Sequence, residues 1–171
     1  VNGHEKAVLL GLAAAEHPQA ADLLALAQWI AEQTGASLGL LGQANAAGLQ
    51  AVGVHPGAGG QSARSVLAGS PKAVLLLGVD PLLDVADPAA ARASLTQAEL
   101  VVGLASHRSD ALLELADVLL PTAPFTETSG SFVNAEGLLQ SFVGVVPPLG
   151  ETRPAWKVLR VLAELLELPG F

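Results

Sequence analysis

The chain has 171 residues, of which 51% are hydrophobic, and its mean hydropathy is +0.49. Lys and Arg number 8 against 16 Asp and Glu, so the formal net charge is −8, which excludes the basic footprint that nucleic-acid binding requires. There is no cysteine, which excludes disulfides, a thiolate nucleophile and cysteine ligands for an iron–sulfur cluster in this chain.

Five short apolar segments, in chain order, predict β-strands. They are residues 6–11, 37–42, 73–79, 100–104 and 118–120. Helical spacing and capping residues predict helices over 18–34, from Ser62 to about 69, over 88–97 behind Asp87, and from Ser109 or Asp110 to about 115. Residues 45–53 fit either a turn or a short helix.

The alternation of apolar strands with helices favours the α/β class, with a doubly wound, mainly parallel sheet covered on both faces by flanking helices. We expect residues 1–150 to form this domain and residues 151–171 to add a C-terminal helix. Thr152 or Arg153 is the expected cap of that helix, with Pro154 in its first turn. Because the chain begins with Val1 and has no Met, we expect a processed or excised fragment.

Several sequence patterns that would indicate catalysis or metal binding are missing. The glycine-rich run at 57–60 lacks the Lys-Ser/Thr of a P-loop and the third glycine of a dinucleotide fingerprint, so we expect a loop there. The four histidines share no metal-ligand spacing, and no G-x-S-x-G elbow is present. We therefore predict no catalytic and no metal-binding residues.

Asp80 follows the most apolar strand directly and precedes Pro81. In open α/β sheets, ligands collect at the carboxyl ends of strands, so this position is a candidate binding residue. An aspartate before proline can equally start a turn or cap a helix. Both interpretations stay open at the level of sequence.

The segment 126–141, TETSGSFVNAEGLLQS, is the densest run of Thr, Ser, Gly, Asn and Glu in the chain. Gly130 and Gly137 can adopt positive φ angles, and Asn134 and Glu136 offer hydrogen-bonding groups close to backbone amides. The residues alone fit two roles, a loop that holds a polar ligand or an internal polar brace.

This segment resembles the C-terminal motif of the molybdopterin oxidoreductase superfamily, acidic-Thr-x-Gly-hydroxyl-Phe-x-Asn-x-Glu-Gly-Arg-x-Gln, which grips the pterin in active members. Gly42, Asn45 and Gly48 also occur in the family's order. Leu138 stands where the motif has arginine, so the chain lacks the guanidinium N–H groups that could bind phosphate at this position. The family positions that we expect to be vestigial, with no cofactor bound, are Asp80, Asp117, Glu127, Gly130, Asn134, Glu136, Gly137 and Gln140.

Within the superfamily, the run from Glu127 through VVPPLGETRPAWKVLRVL is similar to the large iron–sulfur subunit of NADH:quinone oxidoreductase, respiratory complex I. The resemblance implies a scaffolding domain, without a cofactor of its own, in a parent that passes electrons from NADH through iron–sulfur clusters located elsewhere to quinone.

Its implied partners are the rest of its own subunit and other peripheral-arm subunits, on the cytoplasmic side of the inner membrane and peripheral to it. No apolar run reaches the roughly 18 residues that span a bilayer, so we expect no direct membrane insertion. Two alternatives remain: part of an active, formate dehydrogenase-like molybdopterin oxidoreductase, or an independent nucleotide-binding domain of flavodoxin-like topology.

Overall fold

A computed structural model describes residues 3–169, which divide into two compact units. The first unit comprises the chain up to Val54 together with Ser131–Ser141. The second comprises His55–Gly130 and the chain from Phe142 onward, including the C-terminal helix. The boundary that the sequence predicts at residue 150 stays a prediction.

The first unit is a parallel β-α-β arrangement with a short third helix. Its elements are β1 (Ala7–Leu10), α1 (Leu12–Ala15), α2 (Ala20–Thr34), β2 (Ser37–Leu40) and α3 (Ala46–Ala51). The two strands pair in parallel, from Ala7 opposite Ser37 to Leu10 opposite Leu40. The crossover helix α2 ends at Gly35, whose φ of 64° is a left-handed conformation that glycine adopts without strain.

The second unit contains a three-stranded parallel sheet of order β3-β4-β5. Its elements are α4 (Ala63–Leu67), β3 (Ala73–Leu77), α5 (Pro88–Gln97), β4 (Leu100–Ala105), α6 (Asp110–Leu115) and β5 (Val118–Pro121). One face of the sheet packs against these helices through Leu76, Leu95, Val101 and Leu112, which are all buried. This core holds the ends of β3 and β4 in place and so positions the loops that follow them.

The structure confirms the α/β class and several of the predicted caps. Asp87 accepts a hydrogen bond from the Ala90 N–H at 3.0 Å, as expected for the residue that precedes Pro88. Ser109, rather than Asp110, caps α6. These features follow from local chemistry, because a side-chain oxygen at the N-cap satisfies an N–H that the helix leaves free.

Two features differ from the expected single sheet. Among residues 3–169, the five predicted strands form two separate parallel ladders. The polar segment expected to be a loop contains a paired hairpin, β6 (Gly130–Val133) and β7 (Leu139–Phe142), behind a short 3₁₀ turn at Phe125–Glu127. Sequence patterns do not reveal these strands because they are only four residues long and rich in polar residues.

The predicted cap of the C-terminal helix is wrong. Helix α7 spans Ala155–Leu165, and its N-cap is Pro154, which makes no side-chain capping bond. The Thr152 hydroxyl instead donates to the Leu149 carbonyl at 2.8 Å, and an Arg153 guanidinium N–H donates to the Thr152 carbonyl. Both side chains are therefore engaged in the turn before the helix.

Candidate functional site

Asp80 lies just beyond the carboxyl end of β3, in a tight turn. Its Oδ1 accepts hydrogen bonds from the Leu82 N–H at 2.9 Å and the Leu83 N–H at 3.0 Å. A hydrogen bond with the Ser109 side chain is the main reason why the pKa of Asp80 lies below its usual value. The backbone N–H groups of Leu82 and Leu83 lower the pKa further, whereas partial burial raises it. The carboxylate is thus engaged with its own turn and with the start of α6.

Asp117 precedes β5, at the opposite end of the same sheet. Its Oδ2 accepts a hydrogen bond from the Val101 N–H at 2.7 Å, and its own N–H donates to the Val101 carbonyl at 2.9 Å. Because the strands are parallel and advance about 3.3 Å per residue, Asp80 and Asp117 are separated by roughly 15 Å of sheet. The structure does not bring these two carboxylates together.

Glu127 and Gly130 support the segment that follows the hairpin. The Glu127 Oε2 accepts a hydrogen bond from the Leu149 N–H at 2.9 Å. The expected positive φ at Gly130 is wrong, since this residue is not among those with positive φ in the described chain. Space favours glycine there instead, because a Cβ would lie 2.7 Å from Cζ of the Phe142 ring and would displace that ring.

Asn134 organises the turn of the hairpin. Its Oδ1 accepts hydrogen bonds from the Glu136 N–H at 3.0 Å and the Leu138 N–H at 2.9 Å. Gly137 has the expected positive φ, 82°, and its N–H donates to the Asn134 carbonyl. The side chains of Glu136 and Gln140 are exposed and form no hydrogen bond with any residue between 3 and 169. Asn134 is therefore a brace, whereas Glu136 contributes only its backbone.

Asn45 is a structural residue that the sequence did not reveal. It precedes α3 with a φ of 63°, and its Oδ1 accepts a hydrogen bond at 2.9 Å from the N–H of Val133, 88 residues away. A Cβ at position 48 would lie 2.1 Å from this oxygen, which explains why residue 48 is a glycine. The order Gly42, Asn45, Gly48 is visible in the sequence, but it gives no indication of a partner in the hairpin.

Ser129 and Thr128 complete the polar segment. The Ser129 hydroxyl accepts a hydrogen bond from the Gly144 N–H at 3.2 Å. In contrast, the Thr128 Oγ1 is buried and finds no hydrogen-bond partner within the described residues. Buried hydroxyls are normally satisfied, so this oxygen is the feature of the segment that favours a polar partner from outside it.

A cavity of about 330 Å³ opens at the carboxyl ends of β4 and β5. Its lining includes Ser106, His107 and Arg108, and the Ser106 hydroxyl lies 2.9 Å from the His107 Nδ1. Within residues 3–169, no three His, Asp or Glu side chains are grouped so that they could hold a metal ion. No helix in the same range is long and apolar enough to cross a membrane.

The residues predicted from the motif are divided between the two units. Asp80, Asp117, Glu127 and Gly130 belong to the second unit, and the four hairpin positions belong to the first. The side-chain oxygens of Asp80, Asp117, Glu127 and Asn134 already accept backbone N–H groups. Leu138, at the position of the family's arginine, is 56% exposed and offers no donor from its side chain. The residues present do not match the donor set that a pterin dinucleotide requires.

Known proteins are similar to this chain over parts of its length. It is 34% identical over 113 residues to the G subunit of the NADH-quinone oxidoreductase of Streptomyces coelicolor, which covers 64% of this chain and 13% of that protein. It is 42% identical over 60 residues to the NADH-ubiquinone oxidoreductase 78 kDa subunit of Candida albicans, covering 35% and 8%. The 78 kDa subunit of Neurospora crassa is 33% identical over 96 residues, covering 56% and 12%.

The chain thus spans about a tenth of the length of these relatives, and they bear out the predicted resemblance to the large subunit of complex I. The molybdopterin oxidoreductase family matches residues 3–165, which is nearly the whole chain. The chain therefore belongs to the molybdopterin oxidoreductase family.

Proposed function

We propose that this chain is a scaffolding domain of a complex I subunit whose parent passes electrons from NADH through iron–sulfur clusters to quinone. The names of the relatives support the assignment to NADH:quinone oxidoreductase. With no cysteine here, the clusters lie elsewhere in the parent. Its partners are then the rest of its own subunit and neighbouring peripheral-arm subunits, and its place is peripheral to the membrane on the cytoplasmic side.

The observation that carries this proposal is the extent of uncovered surface. A globular protein of 17.2 kDa exposes about 7,800 Å², and two separate globular units of these sizes expose about 9,300 Å² together. The accessible surface of this chain is 12280 Å². The excess of about 3,000 Å² over even separate units is comparable to the area that subunits bury in permanent complexes.

Much of the uncovered surface is aliphatic and lies where a folded domain normally has a covering layer. The face of the β3-β4-β5 sheet that points away from the buried core is only partly covered: Leu104 in its central strand is buried, whereas Leu75, Leu77, Leu100, Val118 and Leu120 are each between 39% and 45% exposed. Parallel sheets are almost always covered on both faces. Further parts of the parent or neighbouring subunits would complete this layer.

We further propose that the chain binds no pterin. The polar groups of the family motif support this, because Glu127 and Asn134 act as internal acceptors and Leu138 replaces the arginine. A net charge of −8 also disfavours the pyrophosphate of a dinucleotide. The competing function, a partial cofactor site in an active molybdopterin oxidoreductase, is favoured by one observation, the unpartnered buried hydroxyl of Thr128.

Metal and pterin analysis of the purified full-length parent separates these two functions. We expect iron, no molybdenum or tungsten, and no pterin fluorescence after oxidation, together with NADH:quinone oxidoreductase activity. Stoichiometric pterin that is lost in a Thr128→Val variant would refute the scaffolding assignment and establish the cofactor site.

The scaffolding role itself is tested by placing a charge on the exposed part of this sheet face. Leu75→Glu in the parent is expected to reduce the amount of assembled complex on native gels, while the turnover per assembled complex stays unchanged. Gln33→Glu, which adds the same charge at an exposed position of α2 whose side chain forms no hydrogen bond within residues 3–169, is the matched control and is expected to leave assembly unaltered. Normal assembly with lowered turnover in Leu75→Glu would contradict a purely structural role.

A further inference from the structure

The β6-β7 hairpin enters the first unit from the chain of the second. Residues 131–141, which we call the strap, belong to the first unit, whereas Gly130 and Phe142 at its two ends belong to the second. The N-terminal part of the first unit is therefore joined to the later chain in two ways. One is the covalent link from Val54 to His55, and the other is the noncovalent docking of the strap.

The strap buries little of its own surface. All four residues of β7 are exposed, and β6 has two exposed residues among its four. A two-stranded hairpin is at best marginally stable in water, so its position depends on contacts with the rest of the first unit. Asn45 provides such a contact, because its Oδ1 accepts a hydrogen bond from the Val133 N–H at 2.9 Å.

The local structure around Asn45 makes its side-chain oxygen available to the strap. Asn45 stands at the start of α3 with a φ of 63°, a left-handed conformation that asparagine adopts more readily than most residues, and its side chain forms no capping bond with α3. Gly48 is buried, and a Cβ there would lie 2.1 Å from the Asn45 oxygen. Alanine would favour the helix more than glycine does, so position 48 serves the contact with the strap at the expense of helix stability.

The covalent link is an exposed, glycine-rich segment. Residues 55–61 contain three glycines, are exposed throughout and form neither helix nor strand. The backbone hydrogen bond from the Gly60 N–H to the Gly57 carbonyl, at 2.9 Å, stays within this segment. Such a linker limits how far its two ends can separate but fixes no geometry, so the docked strap is the attachment that has defined contacts.

From these observations we infer that the strap is a fastening device that opens as one piece, with Asn45 as its latch. Opening breaks the hydrogen bond between Asn45 and Val133 and undocks residues 131–141, while the β3-β4-β5 sheet stays folded around its own buried core. The inference concerns contacts within this chain, so it does not rest on the proposed function and applies to either kind of parent.

Two substitutions that release the latch but have opposite effects on α3 provide the test. Asn45→Gly permits the left-handed backbone and removes the acceptor oxygen. Gly48→Ala keeps Asn45, favours α3 and places a Cβ against the oxygen. Hydrogen–deuterium exchange of the purified full-length parent, followed by mass spectrometry, is expected to show roughly fivefold faster exchange of the Val133 amide in both variants, the factor that corresponds to one net hydrogen bond.

Gln50→Ala is the matched control, because Gln50 is an exposed residue of the same helix whose side chain forms no hydrogen bond within residues 3–169. We expect it to leave exchange at Val133 unchanged, and we expect the amides of β4 to keep their rates in all three variants. Unchanged exchange at Val133 in Asn45→Gly would overturn the latch, and so would slower exchange in Gly48→Ala, because helix stability would then control the strap. Equal acceleration in β4 would show that the strap does not open on its own.

Cutting the linker measures the fastening directly. A recognition sequence for a site-specific protease is inserted between Ala58 and Gly59 of the parent, and the pieces are analysed by size after cleavage. We expect the docked strap to keep the two pieces together, and we expect them to separate roughly fivefold more readily in Gly48→Ala, by the same loss of one hydrogen bond. Immediate separation in the unsubstituted parent, or equal retention in Gly48→Ala, would refute the fastening role.

Discussion

Replacing Asn134 by alanine tests whether the hairpin turn is held by its own side chain. The substitution removes the oxygen that accepts from the Glu136 N–H at 3.0 Å and the Leu138 N–H at 2.9 Å. A neutral hydrogen bond contributes a net 0.5–1.5 kcal/mol, and water reaches the freed N–H groups at this exposed turn, so the two bonds together amount to about 1–2 kcal/mol.

Amide hydrogen exchange measures this loss locally. A destabilisation of about 1–2 kcal/mol raises the population of the open turn by roughly 5- to 30-fold, so the Leu138 amide is expected to exchange faster by that factor. Asn134→Asp keeps the acceptor oxygen and is expected to retain most of the protection. Glu136→Ala is the matched control, because the Glu136 carboxylate forms no hydrogen bond within residues 3–169.

Unchanged exchange at Leu138 in Asn134→Ala would refute this account of the turn. Equal loss of protection in Glu136→Ala would refute it as well, and would support the simpler expectation from the sequence that both side chains brace the loop.

Three further predictions concern the sheet and the base of the hairpin. Asp117→Ala leaves the buried Val101 N–H without its acceptor and is expected to lower the free energy of unfolding by about 1–3 kcal/mol in urea titrations, whereas Asp117→Asn, which keeps an oxygen, is expected to lower it less. Gly130→Ala forces the Phe142 ring aside and is expected to cost about 1–3 kcal/mol, seen as a lower melting temperature; an unchanged melting temperature would mean that the ring moves freely. The folded pKa of Asp80 is lowered, so the stabilisation by its carboxylate is fully present above the unfolded pKa of about 3.9 and is lost as the pH falls through the folded pKa. We therefore expect the stability advantage of the unmodified chain over Asp80→Asn to shrink below about pH 4. An advantage that is equal at about pH 7 and about pH 3 would contradict this.

The features that the sequence predicted well depend on residues close together in the chain. The caps at Ser62, Asp87 and Ser109 each involve a hydrogen bond to an N–H three residues ahead. The positive φ at Gly137 closes the turn of the hairpin, as local rules suggest. The parallel pairing of the strands follows from their alternation with helices.

The features that the sequence did not predict depend on distant contacts. The bond from the Val133 N–H to Asn45 joins residues 88 positions apart, and no local pattern indicates it. The sequence suggests glycine at position 130 for its φ angle, whereas the structure favours it because a Cβ would meet the Phe142 ring twelve residues later. Residue type and local spacing can identify an important glycine without showing which physical constraint demands it.

The same limit applies to the family motif, because a polar residue beside a backbone amide suits a ligand site and an internal brace equally well. A site for an anionic dinucleotide needs N–H groups that are free to point at it. In this chain, the N–H groups of Leu138, Gly144 and Leu149 already donate to side-chain oxygens of the motif itself. The side-chain oxygens of the motif therefore accept hydrogen bonds from N–H groups of the same polar segment and the strand that follows it. At the position where the family motif has arginine, Leu138 has an exposed apolar side chain. These internal hydrogen bonds stabilise a fixed backbone with apolar residues on its outer side, and they leave fewer free N–H groups for the pyrophosphate of a dinucleotide.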